Sequence, residues 1–143
     1  MLQHFTIPEL LRQEIAQTRG DLEADSLLGK LAIQFGRASA SRGALRSAIG
    51  TVEDGVWHRF EPNPNDLNQR VTPHARGAIL VAAVFDALLA IYKNRIADLL
   101  RISTGGSGIL PSGAIHPDLV GRLAKEAAKS AKHVLNMCIR ALD

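Results

Sequence analysis

Apolar residues gather most densely between Pro73 and Ile102, and the densest part, Ala78–Tyr92, carries one charge, Asp86, and neither Gly nor Pro. Such density predicts a long helix buried on more than one side, the centre of the fold. Laid out at 100° per residue, Val81, Val84, Leu88, Ile91, Tyr92 and Leu99 form a bulky core face. Ile79, Ala82, Ala83, Asp86, Ala90, Lys93 and Ala97 form a second, small-residue face that either lets another helix come close or lines a thin solvent stripe. The apolar run falls short of the roughly 20 residues a span needs, holds Asp86 at its middle and ends at Lys93 and Arg95, which argues against a membrane span. Asp86 reads as a paired structural carboxylate, with a catalytic one as the alternative.

The remaining chain falls into shorter elements. Thr6-Ile-Pro-Glu9 is a capping box with Pro in the first turn, so a helix follows through Leu10, Leu11 and Ile15 and stops near Gly20. A second helix starts at Asp25 or Ser26 and ends near Gly36, and Ser41–Ile49 reads as a third. Val52 and Val56–Phe60 flank Asp54-Gly55, which predicts a small β-hairpin near 52–60. Glu61–Thr72, rich in Pro and Asn, reads as a loop. After the long helix, Ser103–Gly113 is a glycine-rich segment. The last helix opens with Pro117 and Asp118 in its first turn. Its apolar stripe is Val120, Ala124, Ala127, Ala131, Val134, Cys138 and Leu142, with its alanines suited to the small-residue face around Asp86. Fold class is therefore mainly α: a bundle of about four to five helices around a long buried central helix.

Composition narrows the class. The chain has 143 residues, enough for one domain over 1–143 with a real core. Aromatic content of 4% leaves that core to Leu, Ile, Val and Ala. A net charge of +3 is too mild to call for nucleic acid. The lone Cys138 excludes an internal disulfide and fits a reducing compartment, which favours the cytoplasm. Both ends interrupt apolar patterns without caps, so the chain reads as a fragment of a larger protein.

Candidate chemistry is sparse. Thr104-Gly-Gly-Ser-Gly108 follows a helix and lacks the Gly-Lys-Ser/Thr of a P-loop, so it reads as an interhelical connector rather than a phosphate site. Arg122, Lys125, Lys129, Lys132 and Arg140 line one face of the last helix. That face reads as solvated, the alternatives being an acidic partner or RNA, and no aromatic platform interleaves it. Five histidines, at 4, 58, 74, 116 and 133, show no zinc-ligand spacing. His74 stands apart, because it stands just ahead of the long helix with Arg76 beside it, at a helix N-terminus that favours developing negative charge. The alternative is a structural histidine.

Pro73-His-Ala-Arg-Gly-Ala-Ile-Leu-Val-Ala-Ala-Val84 resembles a segment of the thermolysin-like (gluzincin) zinc metallopeptidases, written there roughly Val-His-x-Asn-Ser-Gly-Ile. His74 matches the His and Ile79 the Ile. Met1-Leu-Gln-His-Phe5 looks like the tail of that family's helix bearing its third zinc ligand. The glycine loop, the His116-Pro-Asp-Leu start and the Cys-Ile-Arg-Ala-Leu-Asp ending look like uncharacterised bacterial proteins with a peptidase-like domain. The resemblance implies the C-terminal helical part of such a hydrolase. Its two His and Glu zinc ligands and its general-base Glu lie upstream of Met1, so this chain holds no cofactor itself and zinc belongs to the parent protein. It implies that His74 stabilises an oxyanion, with Arg76 as an alternative donor. The implied partners are the upstream part of the same protein and a peptide substrate, with no nucleic acid and no membrane. Arg76 and Gly77 stand where the family has Asn and Ser, and Gln69 where it has the Asp that orients its His. The competing reading is a non-enzymatic helical scaffold or protein-interaction module.

Overall fold

The computed structural model describes residues 8–23, 50–53, 56–59, 63, 65–69 and 71–141. Among them the chain is mainly α-helical. Four helices are described: α1 (Pro8–Thr18), α2 (Asp66–Gln69), α3 (Pro73–Ser103) and α4 (Pro117–Arg140), with strands β1 (Gly50–Glu53) and β2 (Val56–Arg59) between the first two. The capping box at Thr6 and the helices expected over 25–36 and 41–49 lie outside the described residues. Where the sequence suggests one domain, the chain groups into two compact units. One comprises Met1–Leu22 with Leu88–Asp143, the other Glu23–Ala87. The long helix α3 contributes its first half to the second unit and its remainder to the first.

In the unit Glu23–Ala87, β1 and β2 pair antiparallel with Gly50 opposite Arg59 and Glu53 opposite Val56. Two positions, Asp54-Gly55, separate the closing pair, the loop length that the Asp-Gly signal predicts. The segment expected to be loop over 61–72 contains the one-turn helix α2. It is started by Asn63, whose Oδ1 accepts from the Asn65 N–H at 3.0 Å and whose carbonyl accepts from the Asp66 N–H at 3.0 Å. A short side chain that bonds its own backbone two residues on is the reason Asn initiates turns.

The unit Met1–Leu22 with Leu88–Asp143 holds most of the described core. Leu11 and Ile15 of α1, Leu88, Leu89, Tyr92 and Ile96 of α3, and Val120, Leu123, Ala124, Ala127, Ala131 and Val134 of α4 are all buried. Helix α1 closes at Arg19 and Gly20, both in the left-handed region, with the Gly20 N–H donating to the Ile15 carbonyl at 3.0 Å. This six-to-one closure is a Schellman cap. The stop falls where Gly20 predicts it, but a non-glycine residue, Arg19 (φ 56°), takes the first left-handed position. The Arg19 guanidinium donates to the carbonyls of Leu110 and Pro111, tying the end of α1 to the segment between α3 and α4.

The long central helix is present over 31 residues. By length and composition alone Ala75–Ser103 suffices to cross a membrane, so the sequence argument from length falls away. Its burial follows a single stripe, Ala82, Phe85, Leu88, Leu89, Tyr92 and Ile96, rather than several sides. That stripe is turned by about 70° from the bulky face read from the sequence, at 100° per residue. Val81, Val84, Ile91 and Leu99 are half-buried, and Leu80 is 65% exposed. On the small-residue face Ala83, Ala90 and Ala97 are exposed. The alanines of α4 do not cover them; α4 lies against α1 instead. The approach is close at Gly121, where a Cβ would come within 3.3 Å of the Arg12 guanidinium.

Helix α4 buries the predicted stripe from Val120 to Val134 together with Leu123 and Ser130, which the pattern of apolar residues does not single out. Ser130 is tolerated there because its hydroxyl donates to the Glu126 carbonyl at 2.8 Å. Cys138 is half-buried.

Candidate functional site

Helix α3 begins with Pro73, which has no N–H to satisfy and a φ already suited to a first turn. Thr72 caps it: its Oγ1 accepts from the Ala75 N–H at 3.2 Å and its carbonyl accepts from the Arg76 N–H at 3.1 Å. His74 is therefore the second residue of the helix rather than a residue ahead of it. No acidic residue stands in the first turn of the helix itself. Arg76 is exposed. Two residues apart on a helix means about 200° apart around the axis, so positions 74 and 76 do not share a face. At Gly77 a Cβ would meet nothing within 4 Å, and no close backbone approach requires the glycine.

Asp86 is half-buried and engaged in an interaction. It stands twelve residues beyond His74, about 18 Å along the axis at 1.5 Å per residue. The two sequence candidates on α3 are thus not parts of one site.

The glycine segment after α3 is a built connector. The Gly106 N–H donates to the Arg101 carbonyl at 2.7 Å, and Gly105 adopts φ 62°, a second Schellman closure. The Thr104 hydroxyl donates to the Leu100 carbonyl and accepts from the Gly108 N–H, each at 2.7 Å. Loop amides are thereby spent on the protein itself. Helix α4 is capped by His116, whose Nδ1 accepts from the Asp118 N–H at 3.2 Å. Both His116 and His133 are exposed.

Two polar residues of structural weight were not singled out by sequence. Glu126 accepts from Arg95 Nη1 of α3 at 3.3 Å and from Lys129 Nζ at 2.8 Å. The Lys129 hydrogen bond, followed by that of Arg95, holds its carboxyl below the ordinary glutamate range against an opposing cost of burial. The Lys129 partner sits at i+3, a spacing legible in sequence; the Arg95 partner is not. Tyr92 is buried, and its hydroxyl donates to the Gly20 carbonyl at 3.0 Å. Burial, with the nearby Asp21 carboxylate, pushes its phenol well above the usual tyrosine range.

Among the described residues no group of three or more His, Cys, Asp and Glu could hold a metal ion. Compared with protein-family models, curated proteins and solved structures, the chain matches none.

Proposed function

We propose that this chain is the C-terminal helical subdomain of a thermolysin-like zinc metallopeptidase or a peptidase-like relative, to which it contributes an oxyanion-stabilising residue at the start of α3. One observation carries the reading: Thr72 caps a 31-residue helix whose second residue is His74. The family segment has its histidine ahead of a small-residue turn and a buried helix; here the histidine stands in the first turn of that helix. A histidine in the first turn adds its own donor to the partial positive charge of the helix end, where developing negative charge is stabilised. In this reading zinc belongs to the parent protein and would be held by residues outside this chain. Arg76, on another face of the same turn, is the alternative donor.

The test uses the intact parent protein on a peptide substrate. His74→Ala is expected to lower kcat by about a hundredfold or more, with KM little changed, as for loss of an oxyanion donor. A companion Arg76→Ala shows which of the two donates. An undiminished rate in both variants, or an intact coding sequence with no in-frame His-Glu-x-x-His upstream, overturns the reading in favour of a non-enzymatic interaction module.

A further inference from the structure

Arg122, Lys125, Lys129 and Lys132, read from sequence as a solvated face, line an open groove of about 980 Å³ between α1 and α4. The floor of the groove is apolar. Gly121, Ala124, Ala128, Ala131 and Leu135 line it at alternating spacings of three and four residues, the spacing of a coiled-coil seam. Ala124 and Ala131 are already buried. Gly121 is half-buried against the Arg12 guanidinium, Ala128 is half-buried and Leu135 is 39% exposed, so this row is the more open of the two and most open towards Leu135. That row runs about 21 Å, roughly four helical turns. A row of this length floored by small residues, walled at one end by Pro8, Leu11 and Arg12 of α1, matches the contact face of a docked helix.

Charge selects the occupant. Among the described residues five cations, the four above and Arg12, line the groove against one carboxylate, Asp118. Lys129 is partly matched by Glu126 at 2.8 Å, but Lys125 and Lys132, seven residues apart beside the more open row, are exposed. A cationic rim over an apolar floor favours a ligand with acids flanking an apolar stripe. Among the described residues no aromatic side chain lines the groove, which gives the bases of a single-stranded RNA no stacking platform there.

We propose that the groove between α1 and α4 binds an acidic amphipathic helix of a partner protein. Its apolar stripe lies on Gly121, Ala128 and Leu135, and its Asp and Glu flanks face Lys125, Lys132 and Arg122. The proposal does not depend on the peptidase reading, because the groove contains none of the residues that reading uses.

Fluorescence anisotropy on the full 143-residue chain tests it. The probe is a labelled synthetic helix of about 18 residues, five turns, with Leu at heptad a and d positions and Glu or Asp at the flanks. Saturable binding that weakens as salt rises is expected. Lys125→Glu with Lys132→Glu should lower affinity by about tenfold or more. Arg140→Glu, on α4 outside the groove, should change it by less than about twofold. Ala128→Trp, which fills the floor, should abolish binding at any salt concentration. Circular dichroism verifies folding of each variant, and the exposed lysine pair decides the matter where the Trp variant does not fold. The proposal is overturned by absence of saturable binding, by equal affinity for a scrambled or a lysine-flanked peptide, or by an unaffected lysine pair. Binding of phosphatidylserine vesicles or poly(U) without binding of the acidic helix would also overturn it, in favour of a lipid surface or RNA.

Discussion

The Tyr92 hydroxyl reaches 72 positions back along the chain and donates to the carbonyl of Gly20 at 3.0 Å. It joins the middle of α3 to the cap of α1 inside the core, so it is a tertiary bond in a place that water does not reach. Tyr92→Phe keeps the packing and leaves the Gly20 carbonyl unsatisfied, a loss of about 1–2 kcal/mol. Tyr92→Ala, which also opens a cavity, should cost about 3–5 kcal/mol. Urea melts of the two variants separate the terms. The folded-state pKa of Tyr92 is raised, so its share of stability is fully present below the unfolded value of about 10 and is lost as pH climbs above that. Tyr92→Phe should therefore flatten the alkaline limb of the stability curve, and an unchanged limb would assign it to other groups.

Gly20 and Gly77 make opposite predictions for the same substitution. At Gly20, φ is +83° and an added Cβ would stand 2.8 Å from Leu123 Cδ1. Gly20→Ala should destabilise by about 2–4 kcal/mol, from left-handed strain and from overpacking. Combined with Leu123→Ala its cost should fall by about 1 kcal/mol, a coupling that a double-mutant cycle reads directly. Gly77 lies within α3 with open space around it. Gly77→Ala should stabilise by about 0.5–1 kcal/mol.

Arg19 combines a left-handed backbone with a bridging guanidinium. Arg19→Ala loses the bonds to Leu110 and Pro111 and keeps the strain, while Arg19→Gly loses the same bonds and relieves it. The glycine variant should be the more stable of the two by about 1 kcal/mol. Hydrogen exchange in both should quicken over 104–113, the segment the arginine holds. Equal melting temperatures for the two would refute the strain argument.

Glu126 predicts an acid-side effect. Its pKa is lowered in the folded protein by Lys129 and Arg95. The stability it contributes is present above the unfolded value of about 4.3 and is lost as pH falls through the lower folded value. Both partners are substantially exposed, 63% for Lys129 and 38% for Arg95, so each pair contributes only a few tenths of a kcal/mol. Glu126→Gln should remove that increment at neutral pH and leave stability near pH 2–3 unchanged, measured by chemical denaturation across pH.

The residues that act locally were legible in the sequence. Pro73, Pro117 and Gly20 mark helix ends because their effect is on their own φ and N–H, and Asp54-Gly55 marks a hairpin because only a few residue types suit its turn. Apolar density likewise determined that the region around residues 78–92 is helical and central. The sequence set His74 just ahead of the long helix, and the start of α3 at Pro73 puts it inside the first turn instead. What the tertiary structure decided is which surfaces meet. Ala, Leu, Ile and Val recur all round α3, so its wheel holds no unique apolar face, and neighbouring elements chose the stripe from Ala82 to Ile96. Local pattern could not show that Arg95 reaches Glu126, that Tyr92 reaches Gly20, or that α4 lies on α1 and leaves a basic-rimmed groove. Each depends on residues far apart in sequence, and only the folded chain brings them within reach.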